Sequence, residues 1–135
     1  MATIKDFRDL KCWQEARVLA KEVYSKTGYG RFSKDYGLKD QVQRAAVSIG
    51  SNIAEGFERD SNQDFLKFLS YAKGSVGEVI SQFYTAYDVG YVSVEDLEDM
   101  VARLKSIAAK IARLQYSIRS SGVKGLYHKK PETTN

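Results

Sequence analysis

Leu97, Met100, Leu104, Ile107, Ile111, Leu114 and Ile118 follow one another at spacings of three and four without a break. On an α-helix that period places all seven side chains along one stripe, whereas on a strand it would scatter them over both faces. The stretch therefore reads as a helix with a heptad seam, which needs an apolar partner along its length. Upstream of residue 131 the chain has no proline, so nothing interrupts helices of this length.

Three more stretches carry helical spacing. From about Leu10 to Thr27 the apolar positions Leu10, Trp13, Ala16, Ala20, Val23 and Tyr24 share a face, and Gly28-Tyr29-Gly30 closes the helix. A second helix starts from Ser33 or Asp35, buries Val42, Ala45, Ala46, Ile49, Ile53 and Phe57, and stops near Asp60. Ser61 then offers an N-cap with Asp64 three residues on. The third helix follows, with Phe65, Phe68, Leu69, Ala72, Val76, Val79, Ile80, Phe83 and Tyr87 inward and Gly90 as its end. Ser93 and Asp96 repeat the cap before the heptad seam.

No segment sustains period-two alternation with strand-type composition. The pattern predicts an all-α fold, an antiparallel up-down-up-down four-helix bundle spanning residues 1–120, with residues 121–135 as a flexible basic tail. At 135 residues and 43% hydrophobic content the chain fits one globular domain. It has no run near the ~18 apolar residues a membrane span needs and no signal-like N-terminus, which predicts a cytoplasmic protein without membrane contact. The single cysteine, Cys12, suits a reducing compartment and reads as a buried small side chain.

Two features beyond the apolar stripes ask for a reason. Ser70, Gly74, Gly77 and Ser81 make a strip with almost no side chain on the third helix, and Gly56 with Ser48 and Ser51 matches it on the second. Glycine in a helix interior is less favourable than alanine by ~1 kcal/mol, so the strips predict a close approach of these two helices that offsets the loss. On that reading Gly74→Leu should disrupt folding or assembly. Beside the second helix's apolar stripe runs a polar one, Arg44, Ser48, Asn52, Glu55 and Arg59, with Glu78 on the third helix. It reads as a structural polar network or solvated face, in which Glu55 and Arg59 can pair along the helix.

Catalytic constellations are scarce. The one histidine, His128, falls in the predicted tail, which leaves serine and cysteine nucleophiles without a base. No Glu-x-x-His pair, Cys/His cluster, Walker loop or dinucleotide fingerprint occurs, so we expect no metal, no cofactor and no enzymatic activity.

Charge is the remaining signal. Net charge is only +4, but residues 61–102 hold two lysines against seven acids, whereas residues 103–130 hold eight bases and no acid. Those bases are Arg103, Lys105, Lys110, Arg113, Arg119, Lys124, Lys129 and Lys130. Two explanations stand side by side. Acids near the start of the last helix and bases toward its end complement the helix dipole. The same bases, with Tyr116 and Tyr127 for stacking, would also make a nucleic-acid-binding surface.

The run D-Y-G-L-K-D-Q-V-Q-R-A-A-V-S-I-G-S-N-I-A-E-G-F-E-R (35–59), with D-F-L-K-F-L-S-Y-A-K-G-S-V-G-E-V (64–79) and D-V-G-Y-V (88–92), resembles the bacterial family called four-helix bundle protein or 23S rRNA intervening-sequence protein. The likeness covers roughly residues 7–120. Ser48, Asn52, Glu55, Gly56, Arg59, Gly74, Ser75 and Glu78 fall on its motif positions, and Gly50 stands where the family usually has proline. The resemblance implies a small helical bundle with no established enzymatic activity. The chain is also similar to the accessory variability determinant of diversity-generating retroelements. That likeness implies a ring-shaped homo-oligomer, a pentamer, that works with a reverse transcriptase and with RNA or DNA. The functional expectation is a nonenzymatic oligomer that binds nucleic acid or a nucleic-acid enzyme; the alternative is a structural or protein-docking homo-oligomer.

Overall fold

The computed structural model describes residues 4–121. Four long helices account for most of them: α1 (Lys11–Thr27), α2 (Tyr36–Glu58), α3 (Asn62–Asp88) and α4 (Val94–Ser121). Short 3-10 turns at Phe7–Asp9 and Arg31–Lys34 precede α1 and α2, and no strand occurs among the described residues. None of these helices is long and apolar enough to cross a membrane.

The ends of the helices are set by side chains able to satisfy the first free N–H groups. Asp35 Oδ1 accepts from the Leu38 amide at 3.1 Å, which decides between the two predicted starts of α2. Ser61 Oγ caps α3 and Ser93 Oγ caps α4, each accepting at 3.0 Å from the amide three residues on. Gly90 closes α3 with φ of +84°, a left-handed conformation that glycine adopts without strain. The Tyr91 amide then donates back to the Ala86 carbonyl at 2.8 Å. Arg31 of the α1–α2 connection reaches over that turn, donating to the Val89 and Gly90 carbonyls at 3.2 Å each.

One apolar core runs through all four helices. Leu19, Ile49, Ile53, Phe65, Leu69, Phe83, Met100, Leu104, Ile107, Ile111 and Ile118 are fully buried in it. Phe32 plugs one end, edge-on to Phe83 at 6.2 Å between ring centroids and tilted against Tyr91 at 5.3 Å. The second and fourth helices bury nearly the stripes their spacing predicts. Leu10 just before α1 and Cys12, Ala16 and Val23 within it are buried as predicted; Leu19, absent from the predicted stripe, is inside as well, while Tyr24 is half exposed. Burial pushes the Cys12 thiol up to about 11. Tyr87 on α3 also points outward, and on α4 Gln115 takes the buried place beside a half-buried Leu114.

Contacts between successive helices run in opposite residue order. Gln43 bonds Thr27 at one end of α1 and α2, and Gly50 faces Trp13 further along. Ser48 meets Ser75, and Gly56 meets Phe65 and Phe68. Gln115 meets Leu66 and Ser70, while Asp96 and Lys110 of α4 pair with Lys26 and Glu15 of α1. α2 runs uninterrupted through Gly50, which faces the Trp13 indole at a distance where a Cβ would make ordinary contact.

The close approach expected from the small residues exists at Gly56 and not along the α3 strip. A Cβ at Gly56 would lie 2.7 Å from Phe68 Cβ and 3.1 Å from Phe65 Cδ1. At Gly74 and Gly77 a Cβ would meet nothing within 4 Å, and Ser70 and Ser81 are exposed as well. The expectation that Ser70, Gly74, Gly77 and Ser81 pack against the second helix is therefore corrected: their strip faces away from α2 because α3 turns its Phe65/Phe68/Ser75 side to it. Gly56→Ala should destabilise the chain by ~1–3 kcal/mol in urea unfolding through overpacking, despite the better helix propensity of alanine. Gly74→Ala should leave the stability of the isolated subunit unchanged or raise it by up to ~1 kcal/mol.

Candidate functional site

The side of α3 that meets α4 is marked by Gln115, a residue only 4% exposed. Its Nε2 donates to the Leu66 carbonyl at 3.4 Å and to Ser70 Oγ at 3.1 Å, as a buried amide must to offset desolvation. Beside this contact lies an open cleft of about 480 Å³ lined by Gln63, Asp64, Leu66, Lys67, Ser70 and Arg119. Lys67, Ser70 and Lys73 follow one another at helical spacing of three on α3, and Arg113, Tyr116 and Arg119 do so on α4.

The predicted basic residues divide into two groups. Arg103 Nε pairs with Asp99 at 2.9 Å one turn earlier. Lys110 Nζ pairs with Glu15 of α1 at 2.9 Å and donates to Ser106 Oγ at 3.0 Å, and its side chain is 28% exposed. Lys110 is thus a strut between α1 and α4, not part of a free surface. Lys105, Arg113 and Arg119 are exposed and form no ion pair among the described residues. Lys124, Lys129, Lys130 and Tyr127 lie outside the described residues. The sequence reading missed Lys67 and Lys73, which form no ion pair with a described residue either, because they sit in a segment where acids outnumber bases.

The predicted polar stripe is not one network. Arg44 pairs with Asp40 of its own helix at 2.8 Å, both exposed. Ser48 Oγ lies 2.6 Å from Ser75 Oγ and donates to the Ala45 carbonyl at 2.8 Å, so the α2–α3 bridge runs through a pair of serines. Asn52 Nδ2 turns back to the Ser48 carbonyl at 2.9 Å. Arg59 lies 3.9 Å from Glu55 and 3.8 Å from Asp64, and its guanidinium covers the Phe68 ring at 4.9 Å. That arginine ties the end of α2 to the start of α3. Glu78 is exposed and joins none of these contacts. Of the two readings of the stripe, the network holds only at the Ser48–Ser75 and Arg59–Asp64 contacts, while Asn52 bonds within its own helix and Glu78 faces solvent.

A second groove, also about 480 Å³, opens between α1 and α4. Val18, Leu19, Ala102 and Ile107 form its apolar wall, with Glu15, Arg103 and Ser106 at the rim. Its charged rim groups are satisfied, since Glu15 accepts from Lys110 and from Ser106 and Arg103 holds Asp99. No group of three or more His, Cys, Asp or Glu able to hold a metal occurs among the described residues.

A model of the family described as 23S rRNA-intervening sequence protein matches residues 8–113, from the turn before α1 into the second half of α4. No curated protein matches the chain significantly. Within the matched span the Ser48–Ser75 contact links the two helices that carry the S-I-G-S-N-I-A-E-G and K-G-S-V-G-E runs. Ser75→Ala should cost about 1 kcal/mol in urea unfolding, and Ser48→Ala should add less on top of it than it costs alone. A strictly additive double-mutant cycle would show that the two hydroxyls do not couple.

Proposed function

The chain belongs to the 23S rRNA-intervening sequence protein family, and from that premise we propose that it is a nonenzymatic, cytoplasmic homo-oligomer that binds nucleic acid through one face of α3 and α4. The observation that carries this reading is the set of unpaired cations there. Lys67, Lys73, Lys105, Arg113 and Arg119 keep their charge free of any carboxylate partner among the described residues, while Arg103 and Lys110 do not. A helix dipole accounts for bases near the end of α4 but not for Lys67 and Lys73, which lie in the first half of α3. Phosphates are the partners such a face would neutralise. The family's description points to structured RNA as the first ligand to try.

The subunit in this reading is an antiparallel up-down-up-down bundle, supported by the opposed residue order of the contacts between successive helices. Assembly is supported by the outward strip of Gly74, Gly77 and Ser81, flanked by half-exposed Tyr71 and Tyr84. Two helical glycines that gain nothing inside their own chain gain something where a second backbone lies against them. A ring, and five subunits in it, follow from the resemblance to the retroelement protein, as does a reverse transcriptase as protein partner. Cys12 is a poor candidate for a nucleophile in this reading, because burial raises its thiol pKa.

Two measurements test the reading. Titrating labelled structured RNA and duplex DNA should give micromolar or tighter binding at about 50 mM salt, weakened at least ~10²-fold at about 200 mM as several phosphate contacts imply. No binding at either salt would overturn the nucleic-acid part and favour a protein-docking oligomer. Native mass should be a multiple of the 15.2 kDa chain. Gly74→Leu should lower that mass while the far-ultraviolet helix signal persists, and a wild-type monomer at micromolar concentration would overturn assembly.

A further inference from the structure

We propose that the open end of the α3–α4 seam seats single-stranded nucleic acid, with one backbone phosphate held by Lys67, Ser70 and Arg119 and a base stacked on Tyr116. The inference rests on the nucleic-acid reading above and names the form of nucleic acid and the seat.

Ser70 is the pivot. Gln115, buried and fixed by the Leu66 carbonyl, donates to Ser70 Oγ at 3.1 Å, so that oxygen is already an acceptor. Its O–H donates to no described group, and Ser70 lines the cleft together with Lys67 and Arg119. A hydroxyl that accepts from behind offers its hydrogen in front, toward the two cations. Asp64, the one carboxylate on the cleft, is already drawn to Arg59 at 3.8 Å. The cleft therefore offers an ammonium, a guanidinium fork and a neutral donor, the set that phosphate oxygens accept from.

Tyr116 supplies the second half. It is 71% exposed, the most exposed large hydrophobic side chain on α4, and its ring makes no described contact. It stands three residues before Arg119 and three after Arg113, so cations flank the ring along the helix. One turn of helix advances about 5.4 Å, the scale of one nucleotide step, so the phosphate seat and the ring can serve neighbouring parts of one strand. A duplex keeps its bases stacked inside and offers the cleft phosphates alone. A single strand, loop or end offers both, which is how aromatic platforms beside basic grooves select it.

The test is an anisotropy titration of one fluorescein-labelled oligonucleotide without self-complementarity, as a single strand and annealed to its full complement as a blunt duplex. It compares the wild-type chain with Lys67→Gln, Arg119→Gln, Tyr116→Ala and, as a distant charge control on α1, Lys21→Gln. All four positions are exposed, and circular dichroism checks that each variant stays helical. The single strand should bind at least ~10-fold tighter than the duplex, and Tyr116→Ala should remove most of that preference, as a lost stacking platform does. Lys67→Gln and Arg119→Gln should weaken both ligands and each lower the salt slope by about 1, while Lys21→Gln changes neither. Equal affinity for both ligands, with all four variants alike, would overturn the seat and leave the basic face standing. Failure of the wild type to bind either would overturn both readings. Displacement of the strand by an equally charged glutamate-rich peptide at equal concentration would likewise overturn the seat, since that outcome needs charge alone.

Discussion

At Gly56 the backbone of α2 comes so near to α3 that a methyl group would stand 2.7 Å from Phe68 Cβ. The rest of the bundle is arranged around that approach. With no side chain at Gly56, Phe65 and Phe57 meet edge-on at 5.8 Å, and Phe68 is left beside Arg59 at the surface. The two helices can then run side by side for most of their length, touching again at Ser48 and Ser75. Each large apolar side chain buried along this seam contributes ~1.5–3 kcal/mol, so the α2–α3 pair is the platform to which α1 and α4 attach. A bulkier residue at Gly56 would shift the register of all of them.

The attachment of α4 to α1 is of another kind, and it decides which charges stay free. Here the seam is held by Lys26 with Asp96 and by Glu15 with Lys110, both at 2.9 Å, with an open groove between. Ion pairs that are only partly shielded contribute little each, so they direct the docking of α1 more than they drive it. Their effect on function is subtractive. By holding Lys110 to α1, and by placing Arg103 a turn from Asp99, the fold removes two cations from the basic run. Of the three left on α4, Arg119 lines one cleft with Lys67 of the neighbouring helix. A run of bases that looks continuous in sequence is thus thinned in space, and one of its members is joined by a base from another helix.

What could be read from the residues follows the same physics. The 3-4 alternation of α2 and α4 is long and unbroken, and it located both helices and nearly all of their buried positions. The caps at Ser61 and Ser93 were visible because an oxygen and an N–H three residues apart are a local matter. α1 was read in part: Leu10, Ala16 and Val23 of the predicted stripe and Cys12 are buried, whereas Leu19 was left out of the stripe and Tyr24, placed in it, is half exposed. The outward strip on α3 was misread for a deeper reason. Small residues announce that something comes close, but their spacing does not say whether the visitor belongs to the same chain. Lys67 was missed because net charge over a segment hides a base whose nearest acid, Asp64, shares its cleft but is drawn to Arg59.

The outward strip and the proposed phosphate seat lie on one helix, and that places a constraint on any assembly. Gly74 and Gly77 lie in the middle of α3, whereas Lys67 and Ser70 lie one to two turns nearer its start. If a second subunit lies along the glycines, its backbone covers the middle of α3 and stops short of the cleft, because Lys67 and Arg119 hold like charge that a neighbouring copy would have to desolvate. Burying such cations without partners is far more costly than leaving them at a rim. The same argument fixes where the seats of successive subunits would stand: at one edge of the assembly, related by its symmetry axis, with Tyr116 of each facing solvent. A strand following that edge would meet the same donors once per subunit, so weak single contacts would add through effective concentration and not through any one tight site.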